Sequence, residues 1–402
     1  MKTVLALLAI ALFAYLGAAL YRIQRLPVVL RALHSSGLGF FAIGVALGPL
    51  AIGLVDDEML RGLDVLIDLG VGWVGLLFGL QFHFQDLRRL PWRHYLGALS
   101  QAATTLVLCG LGLWLVFTAV PAQGPVWLLV LVLAAASSTS SPTATAPLLH
   151  DLAPRGPVTD ALRLIASVDA VPAILLVGIG LCFAPAPIHP ARYGPALDGL
   201  FWLGVALGLA LALGALAHLI TLYRYTDNQL LVIMLGLVVF CGGAADYLVL
   251  SPLFVNFLVG VVVANRSPAR LRLLKALLSV EKPIFLVLVT LAGAMWGLPV
   301  ALAWIGVAAF VLLRLAGKLV GGYAASAAAG LGAAGGWGLG PGLLAHGGMA
   351  LAIALSFRQL VPGELGDVML GAVVASMLAT TLLGPVSLKW MLIRLGEARE
   401  TR

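Results

Sequence analysis

The sequence predicts an all-α, polytopic membrane protein of about thirteen transmembrane helices, with the N-terminus outside and the C-terminus inside. Three observations carry this reading. The 402 residues are 61% hydrophobic and only 10% charged, whereas a soluble domain carries about 25% charged residues. A globule of this size could not cover its surface with so few polar groups. The apolar residues also gather into segments near the roughly 20 residues that a helix needs to cross the hydrocarbon core. Finally, Lys and Arg fall between those segments with a strong alternation. The same composition excludes a disordered chain, a secreted disulfide scaffold and a nucleic-acid binder. Cys109, Cys182 and Cys241 lie far apart in apolar stretches, so no metal or disulfide framework is expected, and no cofactor.

Span 1 covers 3–21. Lys2 before it is a feature of signal peptides, but Arg22, Arg25 and Arg31 follow it with no small-residue cleavage site between. Spans 2, 3 and 4 cover 36–54, 63–83 and 95–118. Span 5 (126–146) ends in a hydroxyl-rich, proline-marked stretch, and span 6 (160–184) carries a central aspartate. Spans 7 to 10 cover 198–220, 229–246, 251–265 and 283–298. Span 11 (300–324) holds two cations, span 12 (341–360) opens on glycines, and span 13 covers 366–390.

Alternating loops from an outside N-terminus put eighteen of the 24 basic residues inside. These are Arg22, Arg25, Arg31, Arg88, Arg89, Arg93, Arg155, Arg163, Arg224, Arg266, Arg270, Arg272, Lys275, Lys282, Lys389, Arg394, Arg399 and Arg402. Lys2, Arg61, Arg192 and Arg358 fall outside, and Arg314 and Lys318 lie within a span. The net charge of +7 is thus largely a signature of topology rather than of an anionic partner. Connections between spans are short, and there is no GxGxxG in a strand-turn-helix context and no Walker motif, so ATP-driven transport is not expected.

An ionisable group at mid-span costs about 2.5–3.5 kcal/mol on insertion scales, so each is a functional candidate. Asp169 lies nearly midway along span 6, three residues before Pro172. A carboxylate there can be ionised with a bound cation or neutral with a bound proton, which makes one group a competitive proton/cation site. The alternative is a structural ion pair with Arg314 or Lys318, four apart on one face of span 11. Asp246 and Glu281 sit near expected span ends.

The stretch Ala136-Ser-Ser-Thr-Ser-Ser-Pro-Thr-Ala-Thr-Ala-Pro147 holds seven hydroxyl residues, and Pro142 and Pro147 are expected to break the helix. Broken backbone at membrane depth presents carbonyls to cations and helix N-termini to anions. The stretch Gly330–Met349 is too glycine-rich for a plain helix and is expected to break near His346-Gly347-Gly348. Interrupted segments at corresponding places in two halves point to a secondary transporter. Spans 5 and 12 lie seven apart, which suits inverted five-helix repeats, spans 2–6 and 9–13. The expected ion- and proton-binding residues are Asp169 with Thr139, Ser140 and Ser141; Lys318, Arg314 and His346 are expected to supply supporting charge.

Several stretches resemble one family, the monovalent cation:proton antiporters, especially the sodium–proton exchanger and Kef-type potassium branch. They are Leu38-Gly-Phe-Phe-Ala-Ile-Gly-Val-Ala-Leu-Gly-Pro49, Asp68-Leu-Gly-Val-Gly-Trp-Val-Gly-Leu-Leu-Phe-Gly-Leu-Gln81, Leu250-Ser-Pro-Leu-Phe-Val-Asn-Phe-Leu-Val-Gly-Val-Val-Val-Ala-Asn265 and the basic pair in Arg314-Leu-Ala-Gly-Lys318. The resemblance implies two crossed broken helices and a mobile core working against a dimerising scaffold. Residues 1–90 and 225–299 would form the scaffold, 91–185 and 300–402 the core, and 186–224 the linker. Asp169 matches the family's ion-binding aspartate, and Val168 stands where many members carry Asn or Asp. Ser140-Ser141-Pro142 replaces a common Thr-Asp-Pro, Gly347-Gly348-Met349 a common Arg-Gly-Glu, and Gln81 a common Glu, while His83 lies near a usual Asp.

The functional expectation is therefore not an enzyme but an antiporter exchanging Na⁺ or K⁺ for protons by an elevator-type cycle. With one core carboxylate the exchange is expected to be one-for-one and electroneutral. The expected setting is a homodimer in the lipid bilayer of a bacterial inner membrane, with no nucleic-acid partner. Two other readings use the same residues: a same-fold carrier of an organic anion, bound by Arg314, Lys318 and the hydroxyl-rich break, and a non-transporting membrane sensor or scaffold. His150-Asp151 and the hydroxyl cluster form no convergent triad.

Overall fold

A computed structural model describes residues 37–88, 91–119, 124–185, 188–190, 192–223, 225–297, 303–332 and 338–398. Span 1, its flanking arginines and Arg89, Arg224, Arg399 and Arg402 lie outside the described residues. Regular structure among the described residues is helical throughout. Among the described residues, eight helical segments are long and apolar enough to cross a bilayer, counting Pro157–Cys182 as one.

Helices α1 (Leu38–Leu47), α2 (Asp57–Gly62), α3 (Asp64–Gln81), α4 (Phe84–Arg88) and α5 (Trp92–Ala119) lead to the first interrupted pair, α6 (Val126–Ser138) and α7 (Pro142–Leu152). Span 6 is α8 (Pro157–Val168) and α9 (Ala170–Cys182), meeting at Asp169. Pro172 has no N–H for the Val168 carbonyl four residues back, which accounts for the joint. Then come α10 (Pro195–Thr221), α11 (Asp227–Tyr247), α12 (Pro252–Arg266), α13 (Arg270–Ala294) and α14 (Ala303–Ala328). A 3₁₀ turn (Gly340–Leu343) precedes α15 (Gly348–Leu360), and α16 (Glu364–Arg394) closes the order.

Three expectations on extent need correction. Span 2 is helical only to Leu47, because Gly48 turns extended and Pro49 follows. Span 10 starts at Arg270, thirteen residues before expected. Its first half is amphipathic, with Leu273 and Leu277 buried between basic residues, so its charges masked a helix; Glu281 is consequently mid-helix. Pro147 does not end α7, which runs through it to Leu152; Pro142 alone marks the break, at the first helical position, where a missing N–H is harmless.

Backbone-to-backbone contacts hold α3 on α12 and α1 on α13. A Cβ on Gly79 of α3 would lie 2.8 Å from Gly260 Cα, and one on Gly44 of α1 would meet the Thr290 carbonyl. Small residues at such crossings let helices associate where hydrophobic driving force is absent.

At the other end of the chain Glu397, just past α16, caps α8. Its carboxylate accepts the N–H groups of Val158 (2.8 Å) and Thr159 (2.7 Å) and the Thr159 hydroxyl (2.6 Å). These are orphan donors at the positive end of the helix that leads to Asp169. Glu397→Ala is expected to remove about 1–2 kcal/mol of stability, the usual loss of an N-cap. Thermal melting in detergent reads this as a lower midpoint, and an unchanged midpoint would contradict it.

Candidate functional site

The two interruptions come together. After Ser138 the chain runs extended through Thr139, and Ser141 is extended before Pro142 starts α7. The second interruption is the extended stretch to Gly347, ahead of α15. The Ser141 N–H donates to the Ala345 carbonyl at 2.9 Å. Close approach explains glycine at 347: a Cβ there would lie 2.6 Å from Ser141 Cβ. A side chain at 347 would have to displace Ser141.

Interrupting α6 leaves its last carbonyls without helical partners. Three hydroxyls turn back onto the final turn: Ser137 to Ala134, Ser138 to Ala135 and Thr139 to Ala136. Cations from α14 take carbonyls at both interruptions. Arg314 donates to Thr139 O (3.1 Å) and Leu344 O (2.9 Å), one carbonyl from each interruption. Positive charge is favoured at this negative end of a helix dipole.

Asp169 faces this cluster, fully buried with Arg314 and Lys318. Its Oδ1 accepts the Ser140 N–H (3.1 Å), and Oδ2 the Ser140 hydroxyl (2.6 Å). Lys318 Nζ has three oxygens in reach: Ser138 O at 2.5 Å, Ser140 Oγ at 2.8 Å and Asp169 Oδ2 at 3.2 Å. They match the three donors of an ammonium. Ser140 can serve either protonation state of Asp169. Facing a carboxylate it donates to Oδ2. Facing a carboxylic acid it accepts that proton and turns its own to Leu343 O, 3.2 Å away.

Of the sequence-derived residues, Asp169, Ser140 and Lys318 thus meet directly, and Arg314 braces the interruptions behind them. Thr139 contributes its carbonyl to Arg314. Ser141 caps α7, accepting from Ala144 N (3.3 Å). His346 lies 3.2 Å from Ala136 O through Nε2 and 3.1 Å from Ser376 Oγ through Nδ1, so Nε2 carries a proton and the ring joins the interruption to α16. The helix break predicts carbonyls open to cations, but which one meets Lys318, that of Ser138, only the structure shows. Ser376 and Thr380, four apart in apolar α16, were a readable signal for the support of His346.

A cleft of about 380 Å³ approaches from one side, lined by Pro142, Thr145, Ala146, Leu149 and His150 of α7 and Leu162, Arg163, Ala166 and Ser167 of α8. Pro142 adjoins Ser141, and Ala166 is one turn from Asp169. A second cleft, of about 480 Å³, is lined by Asp64, Asp246, Trp296, Arg358, Gln359 and Asp367 among others. The two lie toward opposite ends of α16: Asp367 in its first turn lines the second cleft, and Glu397 just beyond its end caps α8, which lines the first.

Helix interruptions that meet around buried ionisable side chains are a feature of secondary transporters in general. The family model described as sodium/hydrogen exchanger, transmembrane, matches residues 8–394. The chain belongs to the sodium/hydrogen exchanger family. It is therefore a multi-pass membrane transporter and not an enzyme. No curated protein matches the chain. Among solved structures, this family member resembles the sodium proton antiporter MjNhaP1 from Methanocaldococcus jannaschii at pH 8, with a TM-score of 0.66 and 13% identity over 98% of this chain and 99% of that one. A three-dimensional electron-microscopy map of the same antiporter gives 0.67 and 12% over the full length of both chains. At such identity the likeness speaks for a shared fold.

Near Gln81 and His83, Arg270 donates to Leu80 O (3.0 Å) and to Asp86 Oδ2 (2.5 Å). The Arg270 guanidinium holds the Asp86 carboxyl below the usual carboxylate range.

Proposed function

We propose that this chain exchanges one monovalent cation, Na⁺ or K⁺, for one proton at Asp169. The supporting observation is the set of oxygens around Lys318 Nζ. Ser138 O, Ser140 Oγ and Asp169 Oδ2 surround the ammonium as they would a dehydrated monovalent cation. A cation entering this cage displaces the ammonium. Charge balance then limits the stoichiometry. Asp169 with a protonated Lys318 is neutral, and Asp169 with a bound cation and a deprotonated Lys318 is neutral too. If the proton resides on Asp169 instead, both forms carry the same single positive charge. Either route moves one proton against one cation, with no net charge.

Full burial of Asp169 means that it meets each side in turn only through a conformational change. The core helices around the interruptions, 91–185 and 300–402, are proposed to move as an elevator against scaffold segments 1–90 and 225–299 about linker 186–224. Inverted repeats of opposite orientation would relate the two interruptions. A homodimer in a bacterial inner membrane, N-out and C-in, completes the reading. An organic anion fits less well: Arg314 and Lys318 already donate to carbonyls and to Asp169, and an anion would face that carboxylate.

The test is flux in proteoliposomes carrying a pH dye, scanning Na⁺, K⁺, Li⁺ and organic ions. A dye response to Na⁺ or K⁺ whose rate ignores an imposed membrane voltage is expected. No response to any cation would sink the proposal, and a voltage-dependent rate would overturn the one-for-one stoichiometry.

A further inference from the structure

We propose that Asp68–Gln359 and Ser251–Ser356 form a latch between scaffold and core that holds the present conformation, with Asp68 and Gln359 as its positioning residues. The inference rests on the moving core proposed above and adds what restrains it. Gln359 Nε2 of α15 donates to Asp68 Oδ1 of α3 at 2.9 Å, and Asp68 is only 4% exposed. Ser251 caps α12, accepting from Phe254 N at 3.3 Å, and its Oγ lies 2.7 Å from Ser356 Oγ, with both residues buried.

Three features make these contacts a latch rather than general packing. Both core partners sit on α15, three residues apart and so on one side of it. This is the helix that begins directly after His346 and Gly347 at the second interruption. Thirteen residues of helix form a stiff lever about 20 Å long, so the interruption cannot shift far while the distal end is tied. Apart from Arg358, which pairs with Asp367 of α16, the rest of α15 offers apolar side chains, with Leu351, Ile353, Leu355 and Phe357 buried. Apolar contacts are non-directional and slide, whereas hydrogen bonds have a fixed geometry. Finally, Gln359 also lines the 480 Å³ cleft, whose walls come from scaffold (Asp64, Asp246) and core (Arg358, Asp367). The tie therefore lies where relative movement of the two parts would widen or close an opening.

The test places a cysteine at Ala146, which is exposed and lines the opposite cleft; the native cysteines are all buried. A polar maleimide labels detergent-purified protein with and without saturating Na⁺ or K⁺. Asp68→Ala and Gln359→Leu should each change the labelling rate in the cation-free protein by roughly tenfold, the weight of one buried hydrogen bond whose other partner is left unsatisfied. Asp68→Asn keeps an acceptor for Gln359 and should restore most of the parent rate. If one variant fails to fold, the other reads the same bond from its far side. Folded Asp68→Ala or Gln359→Leu protein that labels like the parent, while the parent responds to cation, overturns the latch. Labelling that ignores cation in the parent overturns instead the moving core on which it rests.

Discussion

Asp169→Asn is expected to reduce cation-driven proton flux in proteoliposomes to that of protein-free vesicles. Asn keeps the shape and can still accept the Ser140 N–H, but its amide nitrogen cannot accept the Ser140 hydroxyl, and the side chain can neither release a proton nor balance a bound cation. It also leaves Lys318 buried without its countercharge, and breaking a buried ion pair from one side costs about 3–5 kcal/mol. The single variant should therefore melt well below the parent. Adding Lys318→Met removes the stranded charge, although it leaves the Ser138 carbonyl without its donor. The double variant should regain part of the melting midpoint and none of the flux. Retained flux in Asp169→Asn would remove Asp169 from the transport step. Flux recovered together with stability would reduce the pair to a structural role.

Arg314→Met is the second large effect. Arg314 ties Thr139 O to Leu344 O, and its loss leaves two buried carbonyls without donors at about 1–3 kcal/mol each. Removing a buried charge offsets part of this, so a net loss of about 2–4 kcal/mol is expected. It should appear as a lower melting midpoint together with lost transport, because the same guanidinium sets the spacing of the interruptions. Arg314→Lys, with a point charge in place of a planar fork, should fall between. A melting midpoint equal to the parent's would show that the interruptions hold without Arg314.

The residues that could be read from the sequence are those that break a rule. Asp169 stood out as a carboxylate in an apolar span, and Pro142 and Gly347-Gly348 as interruptions. Lys318 was visible only as one of two candidate partners, because Arg314 shares its helix face and spacing alone cannot choose. Geometry does: Lys318 reaches Asp169, while Arg314 turns to carbonyls. Open carbonyls were expected at the interruptions, but that they are those of Ser138 and Leu343, and that Glu397 caps α8, depends on which segments meet in space. Pro147 and the start of α13 misled for opposite reasons: helix α7 tolerates an internal proline, and a charged half-helix was counted as loop.

The central claim is that one cation and one proton compete at Asp169. Counting protons released per cation bound tests it most directly. Calorimetric titration of purified protein with Na⁺ and with K⁺, repeated in buffers of different ionisation enthalpy, gives that number. One proton released per cation bound is expected for at least one of the two ions, with neither binding nor release in Asp169→Asn. Cation binding that releases no proton would contradict it.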